Sequence, residues 1–305
     1  MLLAALTVTA GQARADVTYG QLIYDYSTDG SDGGELAFYA SAEDANAQSM
    51  GIETVSGQSS PGHDVCNLSG RTLTDNKVYI LARPAFGHTG LGVNFTVEKS
   101  GDSNIAQARR RTADATDIPF GNIPVTPVDG MLGIYCFEMP ADPNITVTIT
   151  AKFEALPTNA DAITYVDADG TTKTKPAGTV YVLDGTDFRL GKYTASGESA
   201  TDPDTGKPYE TWYVCNDDLA YPHGLRLYGD VHLILTDGKT MNVTQSTYNS
   251  SAPIYGSTST SLTIYGQSLG TGTLSATTID DNKFAIQPTP SSSTVAKSRP
   301  NTGTM

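Results

Sequence analysis

The stretch Gly266-Gln267-Ser268-Leu269-Gly270 has the Gly-x-Ser-x-Gly form of a hydrolase nucleophile elbow. That device lifts a serine on a sharp turn between a strand and a helix, with an acid and then a histidine later in the chain. Here a Thr-rich strand pattern follows, and the last histidine, His232, lies upstream of Ser268. The motif is therefore read as a glycine corner between strands. His63, His88, His223 and His232 form no His-x-His or His-Glu-x-x-His ligand pair. His63 stands three residues before Cys66, a spacing that hints at a thiolate pair, but it sits on a Gly/Ser/Pro-rich loop. His232 alternates with Val231 and Leu233, which predicts the solvent face of a strand. Asp167-Ala168-Asp169-Gly170 opens like a calcium loop, yet the twelfth position, where a bidentate Glu belongs, is Gly178. It reads as a turn, and Asp202-Pro203-Asp204-Thr205-Gly206 as an acidic insertion loop. No catalytic residue, metal ligand or cofactor site is assigned, and the chain is not read as an enzyme.

Aromatic side chains offer a different chemistry. Trp212, Tyr213, Tyr221, Tyr228, Tyr255 and Tyr265 crowd the second half of the chain. Sugar C–H groups pack on such rings while polar neighbours take the hydroxyls. Trp212, Tyr213, Tyr255 and Tyr265 are the ligand-binding candidates. Tyr265 ends a strand at a Gly corner, and Tyr255 lies on a Ser/Asn-rich loop. Packing in the core or at its rim is the alternative for Trp212 and most of the tyrosines.

The elements that would position these groups are short strands. Ile145 to Phe153 places an apolar residue at every second position, as does Val93 to Val97, and period-two alternation marks a strand with one buried face. Helical periodicity is confined to Glu43–Met50 and Asn104–Thr112. A boundary falls near Leu156-Pro157-Thr158-Asn159. Beyond it, strands recur at about ten-residue spacing, the cadence of a sandwich, barrel or β-helix. Asp237-Gly238 supplies a turn between Val231–Leu235 and Lys239–Val243. Pro288 to Met305 is low in complexity, and a disordered tail is expected over 281–305.

The chain has 305 residues, 38% of them hydrophobic and only 17% charged, with a net charge of −14. Thr, Ser, Asn and Gly supply the polarity, which suits strands and tight turns better than helices. So negative a chain repels phosphate backbones and anionic lipid, which argues against nucleic acid as a partner. Met1 to Ala10 is apolar, and Ala13-Arg14-Ala15 has the small-x-small form of a signal-peptidase site, with Asp16 as the mature start. The basic leader is missing, so residues 1–15 read as the end of a longer signal peptide. No other stretch approaches the ~20 apolar residues of a membrane span. Export permits a disulfide, and Cys66–Cys136 is one possible bridge beside an unpaired Cys215. Three buried, unpaired thiols is the favoured alternative. Pro300-Asn301-Thr302-Gly303 has the end of a sortase signal, but Arg299 stands where Leu belongs.

Two stretches carry resemblances. Gly133 to Glu154, with Tyr135-x-Phe137-x-Met139-Pro140-Ala141 leading into an alternating Val-Thr strand, resembles the closing strands of Ig-like β repeats, related to divergent internalin-type B repeats, of large bacterial surface proteins. Met139-Pro140 should end a strand, because Pro cannot donate to a ladder. Tyr165–Gly170, Trp212–Val214, Gly229–Val243 and Ser261–Leu274, in that order, resemble a module of Bacteroidetes and Firmicutes surface proteins that leads into a Gly-rich parallel β-helix. That module is similar to β-helical carbohydrate-binding domains. The two resemblances cover residues 80 to 280, and no Gly-rich rungs follow Thr278, so the solenoid is expected to be short or truncated.

These features together predict a mainly β chain, with an Ig-like β-sandwich over 16–156 and a β-helix-like unit, the start of a parallel β-helix, over 157–280. The expected role is a non-catalytic, secreted or cell-surface module for adhesion or for binding polysaccharide or host glycan. A purely structural spacer is the alternative, followed by a non-catalytic part of a polysaccharide-degrading enzyme.

Overall fold

The computed structural model describes residues 18–26, 33–56, 63–68, 70–101, 121–186, 188–194, 198–245, 252–256, 259–278 and 286–287. The expectations for the leader, the 104–112 helix, the tail and the sortase-like motif lie outside the described residues, apart from 286–287. The protein is mainly β, as its composition and period-two patterns predict. Among the described residues the one α-helix is Ala42–Ala47. Its Ser41 N-cap accepts from Asp44 N at 3.0 Å, and Gln48 ends it in the left-handed conformation. No helix among the described residues is long and apolar enough to cross a membrane.

Residues up to Phe153 build two sheets around one core. In the first sheet the order is Thr54–Ser56, His63–Cys66, Gln21–Asp25, Ile145–Lys152, Asn94–Gly101, Gly121–Asn122. Gln21–Asp25 runs parallel to Ile145–Lys152, and the other pairs are antiparallel. The second sheet orders Gly34–Tyr39, Lys77–Pro84, Ile134–Glu138, Thr126–Pro127, all antiparallel. Leu22, Val147 and Ile149 from the first sheet meet Phe38, Ile80 and Phe137 from the second. Ile145–Lys152 buries alternate residues as its sequence predicts, and Ile134–Glu138 stops just before Met139-Pro140. Lys77–Pro84 is apolar on both faces for a reason the sequence does not state. Val78 and Ile80 enter the shared core, while Tyr79 and Leu81 pack outward with Ala45 of the helix.

All three cysteines are free and buried. Cys66 points into the shared core, whereas Cys136 lies on the opposite face of its sheet with Tyr79 and Ala45. The sheet therefore stands between the two thiols that export made the plausible bridge.

From Leu156 onward the chain winds into a coil with three parallel-stranded walls. The first wall stacks Tyr181–Val182, Glu210–Cys215, Asp230–Leu235 and Ser261–Gly266, with Tyr213, Leu233 and Ile264 in register. The second stacks Leu219–Tyr221, Thr240–Thr244 and Thr273–Thr277. The third stacks Arg189–Leu190, Leu225–Leu227, Ile254–Gly256 and Ile286–Gln287. After a first pass that adds strands to the first and third walls, each circuit contributes one strand to each wall in turn, and Leu190, Leu227, Leu233, Met241 and Ile254 fill the interior. Asp237-Gly238 is thus a corner between two walls rather than a hairpin. The Asp237 carboxylate accepts from Leu269 N at 2.9 Å and Thr271 N at 3.1 Å on the next circuit. Gly266–Gly270 forms the corresponding corner, with Leu269 exposed and a strand following.

An antiparallel hairpin, Ile163–Val166 with Thr172–Lys175, turns at Asp167–Gly170 and pairs its Val166 with Gly266 of the last first-wall strand. This hairpin occupies the edge on which a further parallel strand of that wall would be added. Covering an open edge in this way prevents uncontrolled strand pairing.

Candidate functional site

The first wall carries a cluster of aromatic side chains on its outer face. Trp212, Val214, His232, Ile234 and Tyr265 point outward from it because Tyr213, Cys215, Leu233 and Leu235 point into the coil. Parallel register makes the outward rings neighbours. Trp212 stacks on His232 at 4.2 Å and on Tyr265 at 5.1 Å between centroids. The hairpin then closes over them: Tyr165 meets Tyr265 edge-on at 4.8 Å, and Lys175 Nζ lies 3.6 Å from the Trp212 ring centre.

Closure by the hairpin decides the fate of two of the four predicted ligand-binding aromatics. Trp212 is 8% exposed and Tyr265 9%, so neither offers an open ring face. Tyr213 is in the coil interior at 2% exposure, and its hydroxyl accepts from Gly191 N at 2.8 Å. Tyr255, outward on the third wall, is the half-buried member of the set. Packing thus accounts for three of the four. His232 is on the outer face, as alternation predicts, but it is covered rather than solvated: its Nδ1 is 2.8 Å from Tyr265 Oη. Burial, with Asp167 and Tyr165 nearby, pushes the Tyr265 phenol up to about 12. It therefore stays protonated at neutral pH.

Beside this stack the starts of the three strands open a groove of about 550 Å³. Glu210, Asp230 and Ser261 are register partners on its floor. Asp202 and Lys207, in and just after the acidic loop, also line it, together with Ser259 and Thr260. Each floor carboxylate is held from behind. Glu210 accepts from Trp212 Nε1 and lies 3.7 Å from Lys175 Nζ. Asp230 accepts from Ser261 Oγ and lies 3.4 Å from His232 Nε2. Such anchoring restrains the carboxylates at the groove, and acceptors of this kind suit hydroxyl or cationic donors. Among the described residues no group of three or more His, Cys, Asp and Glu is placed to hold a metal ion.

Sequence inspection missed Glu210, Asp230 and Lys207. Parallel register with Ser261 gathers Glu210 and Asp230, and the loop after Asp202 brings Lys207 to the same groove. The acidic loop was visible in sequence, but not its place in the same groove as Glu210. The nucleophile-like groups are quiet elsewhere: burial pushes the Cys66 thiol up to about 12 and the Cys215 thiol to about 11. Asp167 and Asp169 hold the hairpin turn, with Asp169 accepting from Thr171 N at 2.8 Å and Asp167 paired to Lys173.

The chain matches no protein-family model, no curated protein and no solved structure.

Proposed function

We propose that this chain is a non-catalytic extracellular module of a bacterial surface protein, with an Ig-like sandwich followed by a short parallel β-helix that binds glycan. The observation that carries the reading is the groove over Glu210, Asp230 and Ser261, bounded by Asp202 and Lys207. Restrained carboxylates accept from sugar hydroxyls, and Lys207 supplies a donor, so an uncharged polysaccharide segment fits its chemistry. The resemblances described above point to the same class. The export pattern before Asp16 supports a secreted or surface location.

A glycan array followed by isothermal titration with the full chain tests this reading. Binding of a neutral oligosaccharide should weaken about tenfold in Asp230→Asn, because a charge-assisted hydrogen bond contributes on the order of 1.5–3 kcal/mol. A chain inert to every host and plant polysaccharide would favour the spacer reading. New reducing ends appearing in the same incubation would overturn the non-catalytic assignment.

A further inference from the structure

The third wall of the coil carries a second, oppositely charged feature. Arg189 and Arg226 are register partners on adjacent parallel strands, and Tyr255 continues the row. All three point outward, because Leu190, Leu225, Leu227 and Ile254 point into the coil interior. Neighbouring strands lie about 4.8 Å apart, so two guanidinium-bearing residues are held side by side. Like charges placed opposite one another in a sheet repel. Neither arginine forms an ion pair with a described carboxylate; Glu35 of the first unit acts on Arg189 only from beyond ion-pair distance. This is notable in a chain with a net charge of −14.

Aromatic rings hold the pair in place. The Arg189 guanidinium lies 4.9 Å from the Phe188 ring centre and 5.4 Å from that of Tyr193, to which it also hydrogen-bonds. Arg226 lies 5.1 Å from the Tyr228 ring and 5.8 Å from that of Tyr255. Ring contact occupies the face of a guanidinium and leaves the N–H edge for an anion. Arg226 Nε is enclosed without a partner among the described residues. A half-buried, mutually repelling cation pair is unfavourable on its own, and an anion bridging both residues would offset that.

We infer that Arg189 and Arg226, flanked by Tyr193 and Tyr255, form an anion site for the carboxylate or sulfate groups of an acidic polysaccharide. It is separate from the Glu210–Asp230 groove. The row runs across the strands, so successive cations repeat at the strand spacing, which suits a polymer bearing a charge on successive sugars. This inference rests on the glycan-binding reading for the polymer and on the arginine pair for the charge.

The test is isothermal titration of the full chain with four probes: oligogalacturonate, its methyl ester, a sulfated oligosaccharide and a neutral oligosaccharide. A charged probe should bind, more weakly as salt rises, and the methyl ester should bind about tenfold worse or not at all. The two charged probes separate carboxylate from sulfate as the preferred group. Arg189→Gln and Arg226→Gln should each weaken binding about tenfold, and Arg226→Lys should recover part of it, since charge returns without the fork. The Lys variant keeps the test decisive if a Gln variant misfolds. Charged-probe binding unchanged in the arginine variants, or methyl ester binding equal to acid binding, would overturn the site. Neutral-probe binding without any charged-probe binding would overturn it while leaving the glycan reading intact. No binding by any probe would overturn both.

Discussion

At the residue scale, Asn159 shows how one buried polar side chain can replace a stretch of regular structure. It is 5% exposed. Its Nδ2 donates to Asp161 O at 2.7 Å and Pro176 O at 2.9 Å, and its Oδ1 accepts from Thr179 N at 3.1 Å and Val180 N at 2.8 Å. The side chain thereby ties the two ends of the 163–175 hairpin to the entrance of the coil. Asn159→Ala strands several buried backbone groups at ~1–3 kcal/mol each, so a loss of about 3 kcal/mol or more is expected. Urea denaturation of the variant against the parent measures it. A loss below about 1 kcal/mol would mean that water replaces the amide. In sequence, Asn159 reads only as a loop residue after Pro157, because nothing local announces four partners drawn from residues up to 180.

At the element scale, the coil depends on how tightly one circuit crosses the next. Gly191 follows the Arg189–Leu190 strand with φ +90°, and a Cβ there would lie 1.8 Å from the carbonyl oxygen of Tyr228 on the following circuit. Gly191→Ala therefore combines an unfavourable backbone region with a clash against main chain. About 2 kcal/mol or more of destabilisation is expected from the backbone cost alone. Calorimetry should show a lower Tm, and an unchanged Tm would show that the two circuits can separate at no cost. The first-wall aromatics also belong to this scale. His232 was legible as an outward residue of a strand, yet the hairpin that covers it, Trp212 and Tyr265 lies earlier in the unit's sequence. Strand alternation assigns a face, and it is silent about what later packs on that face.

At the scale of the whole molecule, the two units meet through a small set of polar contacts. Gly90 N donates to Thr186 Oγ1 at 2.9 Å, Thr89 donates to Asp184, and Phe86 packs edge-on against Tyr181 at 5.6 Å. His223 from the coil approaches the helix of the first unit, where it bonds to the Asn46 backbone. Its pKa is lowered from 6.5, chiefly by burial and further by Arg83, with the Asn46 bond acting the other way. The unfolded chain thus binds this proton more readily than the folded one. The neutral form's contribution is present in full above pH 6.5 and declines as pH falls toward the folded-state value. Melting temperature should drop between neutral pH and pH 5, and His223→Asn should flatten that drop. A variant with the parent's full pH dependence would assign the effect to other groups.

The sequence by itself determined the mainly β class, the alternating strands such as Ile145–Lys152, the stop before Met139-Pro140 and the corner character of Gly266–Gly270. These follow from side-chain period, proline's missing donor and glycine's freedom, all of which are local. Tertiary structure alone decided that Asp237-Gly238 joins two walls rather than two paired strands, and that Cys66 and Cys136 face opposite sides of a sheet. It likewise decided that Trp212 and Tyr265 are covered, that Glu210 meets Asp230, and that Arg189 stands beside Arg226. The physical reason is parallel stacking: it brings together residues separated by a whole circuit of irregular length, and no fixed spacing in the chain records which residues become neighbours.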